Sequence, residues 1–142
     1  MSKIKDLAEA VTAEFAHGAF SQAFTAERGY VAQFTTEEFH DLRVVVAPGA
    51  FDSDAASRGA VTQKIGIDIG IMRKVGNDVG QVDELVILAD DIRRFFNGRE
   101  LENMPTATIV GAAQIKPLYD AAELKTNRLF ISVVRLTYFV GE

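Results

Sequence analysis

The chain of 142 residues has no cysteine, no tryptophan, two histidines and three prolines. Without cysteine there is no disulfide, no thiolate nucleophile and no cysteine metal site, so the fold must stand on its hydrophobic core. The histidines, His17 and His40, fall short of the convergent ligand set that a metal centre needs. The group Glu38, His40 and Asp41 lies on one turn, where its members do not converge. No apolar run approaches the ~20 residues that span a bilayer. The opening MSKIKDLAEAV is charged and amphipathic, without the apolar region and cleavage site of a signal peptide. The net charge is −5, from 15 basic and 20 acidic residues. No basic cluster supplies the footprint that duplex binding requires. Without tryptophan, and with its phenylalanines scattered, the chain offers no stacking platform for single strands.

Catalytic motifs are equally scarce. Gly76–Gly80 lacks the lysine and hydroxyl residue of a phosphate-binding loop and reads as a strand-to-helix turn. No Gly-x-Ser-x-Gly elbow occurs. Asp52-Ser53-Asp54 has the form of a metal–nucleotide motif, but it sits in a Ser/Ala/Gly stretch and reads as a solvated turn. Asp68 is a lone carboxylate with no partner nominated nearby for acid–base work. A small enzyme or ligand-binding protein would need convergent polar groups that the sequence does not display, and no cofactor is implied.

What is present is patterning, and it fits a single domain over 1–142. Ile4, Leu7, Val11 and Phe15 predict an amphipathic helix over 3–16, stopped near Gly18. Ala23, Phe24 and Tyr30–Phe34 predict extended structure broken at Gly29. A capping box, Thr35-x-x-Glu38, predicts a short helical turn. LRVVVA, 42–47, predicts a strand ended by Pro48, and 48–60 a loop. VTQKIGIDIGIMRKV, 61–75, alternates apolar and polar residues and predicts one long strand. Val82, Leu85, Ala89, Ile92 and Phe96 predict a helix over 81–97, closed by Gly98. Strands are predicted over 106–116 and 128–140, with a connection between them. The expected fold is α+β: an antiparallel or mixed sheet of about four strands, in two hairpins, with two helices on one face.

Length sharpens this. A strand of about fifteen residues is roughly 50 Å long, whereas a body of this size is roughly 35–40 Å across. The strand therefore either bends at Gly66 or Gly70 or belongs to a long protruding hairpin. Glycine in mid-strand marks a bulge or a close approach by another backbone. Gly66, Asp68, Gly70 and Met72 accordingly form a candidate subunit-facing strip. Arg93 and Arg94, beside Asp90 and Asp91, are either a solvated helix face or a charge pair across a boundary. Phe51, Asp52, Asp54 and Arg58 mark the 48–60 stretch as a candidate docking loop.

The order of features resembles the tail terminator and head–tail joining proteins of long-tailed bacteriophages. The residues that carry the resemblance are Glu27–Tyr30, Thr36–Leu42 running into Arg43–Pro48, Lys64–Ile71, Val82–Leu85 through Phe95–Phe96, and Phe130–Tyr138. The resemblance implies a non-enzymatic virion protein, assembled in the host cytoplasm and placed at the head-proximal end of the tail. Such proteins form a homo-oligomeric ring, a hexamer, that caps the tail tube, stops its growth and receives the head connector or completion protein. DNA passes through without specific binding, and no membrane is involved. A connector-side adaptor or a tail tube subunit remains the alternative.

Overall fold

A computed structural model describes residues 2–30, 39–57 and 60–141; for 52–57 and 60–62 it describes the backbone only. The predicted turn at Thr35–Glu38 lies outside the described residues. Helix α1, Lys3–Glu14, starts at Ser2, whose hydroxyl accepts from Lys5 N, and tightens into a 3-10 turn at Phe15–His17. Strand β1 is Ala26–Arg28, β2 is Arg43–Ser57 and β3 is Ala60–Lys74. Helix α2, Val79–Phe96, follows the cap Asp78, whose carboxylate accepts from Gly80 N. Short strands β4, Thr108–Ile109, and β5, Gln114–Ile115, precede α3, Ala121–Asn127, and β6, Leu129–Gly141, closes the chain.

The fold is α+β, with a mixed sheet ordered β1-β2-β3-β6-β4 and β5 also on β6. The pairing β1–β2 is parallel, whereas β2–β3, β3–β6, β4–β6 and β5–β6 are antiparallel. Because side chains alternate across a strand, one sheet face carries Val44, Val46, Ile65, Ile67, Ile69, Ile71, Val134, Leu136 and Tyr138. This face packs with Leu7 and Val11 of α1 and Leu85, Leu88, Ile92 and Phe96 of α2 into one core. The four isoleucines of β3 are fully buried, and each contributes about 1.5–3 kcal/mol by leaving water. Phe15, Phe20, Phe24, Phe95 and Phe96 form a chain of ring contacts that seals one end of the helix layer.

The long hairpin is the dominant feature. Both of its strands have 15 residues. Phe51, opposite Ile65, is already 50% exposed, and pairing runs on to Ser57 and Ala60. Strand β6 accompanies β3 as far as Thr62, opposite Gly141, so the tip from Asp54 to Ser57 and back to Thr62 runs roughly 10 Å past the third strand at about 3.3 Å per residue.

Three features differ from the sequence expectation. First, β2 does not end at Pro48 but runs through the expected loop, with register shifts at Pro48/Ala50 and Ala55/Ser57. Gly29 N donates to Val46 O across the β1 side of β2 (3.0 Å). By alternation the missing N–H of Pro48 points to that same outer edge, where it breaks no ladder bond. The irregularities therefore fall on β2, and β3 stays continuous through Gly66 and Gly70. Second, 106–116 is two short strands, because Gly111 adopts φ +67° between them. Third, the connection before β6 contains α3, capped by Asp120, whose carboxylate accepts from Glu123 N (3.0 Å).

Candidate functional site

The sheet face away from the helices is only partly covered by the chain itself. It has two parts. Near β1, Phe39, Val45, Met72 and Leu129, with Ile131 against them, form a second small apolar cluster. Met72 is fully buried there, so its side chain is spent inside the subunit. Toward the hairpin tip the face opens. Register sets Lys64 opposite Phe139, Gly66 opposite Thr137 and Asp68 opposite Arg135. Lys64 and Arg135 are exposed, and Phe139 is 42% exposed.

Asp68 is not lone. Arg135 Nε donates to Asp68 Oδ1 (2.7 Å) and its Nη2 to Oδ2 (2.8 Å), a bidentate fork between adjacent strands. The bond to Asp68 holds the guanidinium further above its ordinary pKa. The mid-strand glycine has an intrachain reason as well. A Cβ on Gly66 would lie 3.2 Å from Ala50 Cβ, where the bulged β2 crosses it. Gly70 is buried between Val45 and Val133 in register.

The opposite surface belongs to α2. Gly80, Glu84, Ile87 and Arg94 are exposed at helical spacing. Asp90 binds both neighbouring arginines: Arg94 Nε donates to its Oδ2 (2.9 Å) and Arg93 Nε to its Oδ1 (3.0 Å). The bonds from Arg94 and Arg93 hold the Asp90 carboxyl below the usual carboxylate range. Arg93 and Arg94 therefore have a partner within their own helix. Asp91 instead accepts from Ser21 N (3.0 Å) and pins the 18–25 strap to α2. Between strap and helix lies a cleft of about 350 Å³ lined by Ser21, Gln22, Glu84 and Ile87.

A third polar group has no local signature in the sequence. Glu14, only 3% exposed, accepts from Arg99 Nε (2.7 Å) and Glu102 N (2.9 Å), while His17 pairs with Glu102. Burial pushes the Glu14 carboxyl up, but the Glu102 N–H, the Arg99 guanidinium and His17 outweigh it and hold it below its ordinary value. These residues tie α1 to the segment after α2. Their separation of 85 and 88 positions leaves no local signal to find them.

Of the docking-loop candidates, Phe51 is exposed on β2. The backbones of Asp52 and Asp54 belong to β2 and their side chains lie outside the described residues, as does Arg58 altogether. Among the described residues no group of three or more His, Cys, Asp or Glu is placed to hold a metal ion. No helix among them is long and apolar enough to cross a membrane. Neither known protein-family models nor curated protein sequences match the chain.

Proposed function

We propose that this chain is a structural, non-enzymatic component of a bacteriophage particle. It is one copy of a ring, a hexamer, that caps the tail tube, ends its polymerisation and presents a docking surface to the head connector or completion protein. Its place is the head-proximal end of the tail. The observation that carries the reading is the β2–β3 hairpin of two 15-residue strands, whose tip from Asp54 to Thr62 continues past the end of β6. A strand pair that leaves its own core lacks cover on both faces and is poorly stable alone. A neighbouring copy in a ring supplies that cover. Rings close through two different patches on each subunit, and this two-layer body offers an uncovered sheet face and an opposite helix face. The net charge of −5 suits a channel through which DNA slides without being held.

The test mixes the purified chain with the tail tube protein and follows tube length by negative-stain electron microscopy. Single closed rings and shortened, capped tubes are the expected result. Polymerisation of the chain by itself would make it a tube subunit, and tubes that grow unchanged would end the ring-cap reading.

A further inference from the structure

Two exposed features on opposite faces of the molecule each set an apolar side chain beside a charge, and the charges are of opposite sign. On the uncovered sheet face Phe139, 42% exposed, stands opposite Lys64 in the β3–β6 register. Together they make an aromatic knob with a cation beside it. On the helix face Ile87 is 51% exposed within a stripe that also carries the exposed carboxylates Asp83 and Glu84. Ile87 and Glu84, with Ser21 and Gln22 of the strap, line the cleft of about 350 Å³. That cleft sets one exposed apolar side chain, Ile87, beside one carboxylate, Glu84.

An isolated exposed isoleucine or phenylalanine needs no explanation. The pairing is what matters: each apolar residue has a charge beside it, and the two charges are of opposite sign. An apolar anchor seated in a pocket, with a charged rim that fixes register, is how protein interfaces concentrate their energy. From Asp78 to Arg94 the α2 segment carries five carboxylates against two guanidiniums. An acidic helix face would repel a second acidic face but accept the Lys64–Phe139 edge.

We propose that Phe139 and Lys64 of one copy seat in the Ser21–Gln22–Glu84–Ile87 cleft of the next, so that copies join sheet face to helix face. The contact is heterologous, since each subunit uses one patch for each neighbour, and such contacts build closed rings or open filaments. It rests on the ring reading only in requiring that copies of the chain associate. It adds which surfaces meet.

The absence of native cysteine gives a direct test. A chain carrying both Phe139→Cys and Ile87→Cys is oxidised under mild conditions and run on a denaturing gel beside the two single variants. The double variant is expected to give a ladder of cross-linked multimers, while each single variant has no cysteine opposite it in the contact and stays monomeric, with dimers at most. A ladder ending at one closed size supports both the contact and the ring; a ladder running on to long polymers supports the contact and overturns the ring. No ladder from the double variant, while the unmodified chain forms rings by native mass spectrometry, overturns the contact and leaves the ring standing. No ladder and no rings overturns both.

Charge reversal guards against misfolding of the cysteine variants. Lys64→Glu or Glu84→Lys alone is expected to weaken association about tenfold or more in sedimentation velocity. Both changes in one chain are expected to restore it to within about threefold. Single reversals without effect, or a double reversal that fails to restore, would equally overturn the contact.

Discussion

A Cβ on Gly49 would lie 2.2 Å from Asp68 Oδ2, so the glycine and the Asp68–Arg135 fork share one space. Backbone freedom does not explain this glycine; the bulge of β2 brings its Cα over the carboxylate. Gly49→Ala is expected to displace Asp68 and loosen its pair with Arg135. Arg135 is 46% exposed, so the pair itself is worth no more than about 1 kcal/mol. With the steric shift, the loss of unfolding free energy should be about 1–2 kcal/mol. In an Asp68→Ala background the same substitution should cost much less. Urea denaturation of the four chains measures that coupling, and strictly additive losses would disprove it.

Glu14 should set part of the acid limit of stability. Its folded pKa lies below the ordinary 4.5, so between the two values the unfolded chain binds more protons than the folded one. The stabilisation is therefore fully present above about pH 4.5 and is lost as pH falls through the folded pKa. Glu14→Gln keeps the size but surrenders the charge opposite Arg99. It should lower stability by about 1–3 kcal/mol at neutral pH and flatten the decline on the acid side. Thermal midpoints of both chains between pH 3 and 7 provide the check. Parallel curves would mean that Glu14 does not titrate with folding.

Tyr138 presents the opposite case. It is fully buried, and its hydroxyl finds no hydrogen-bond partner among the described residues. Burial, with the Glu14 charge behind it, pushes the phenol well above its usual pKa. Its stabilising effect is thus present below about pH 10 and is lost as alkali deprotonates the unfolded chain first. Removing only the oxygen spares a desolvated polar atom, so Tyr138→Phe should be neutral or stabilising by about 1 kcal/mol. Tyr138→Ala should cost about 3–5 kcal/mol through the lost ring. Calorimetry distinguishes these outcomes. A clear loss on Tyr138→Phe would show that the hydroxyl has a partner after all.

The periodic segments are legible in the sequence alone. The alternation of Ile65 to Ile71 and the helical spacing of Leu85, Ile92 and Phe96 each belong to one element, and burial of one face dictates both patterns. The α+β class follows from them. The N-cap Asp120 was also in the sequence, but α3 has only seven residues and no periodicity to draw attention to it. Pro48 misled, because proline stops a strand only where its N–H is needed for pairing. The Asp68–Arg135 fork joins residues 67 positions apart, and the Glu14–Arg99 pair joins residues 85 apart. No local pattern encodes such a distance. Of the interaction candidates, Met72 read as outward by alternation alone, since the small cluster around Phe39 and Leu129 that covers it forms only in three dimensions.

Pro48 supports one further prediction. Past Val46 the outer edge of β2 has no strand partner among the described residues, and such an edge invites pairing with another chain. Pro48 removes one donor from it, and the adjacent register shift bends it. Both features blunt the edge. Pro48→Thr restores a donor and suits a strand, so it should leave the thermal midpoint within a few degrees. It should also promote aggregation by edge pairing, seen as a faster rise in light scattering at equal concentration. Equal scattering from the two chains would mean that the bend alone protects the edge. In that case deleting Gly49, which removes the extra residue, should produce the aggregation that Pro48→Thr did not.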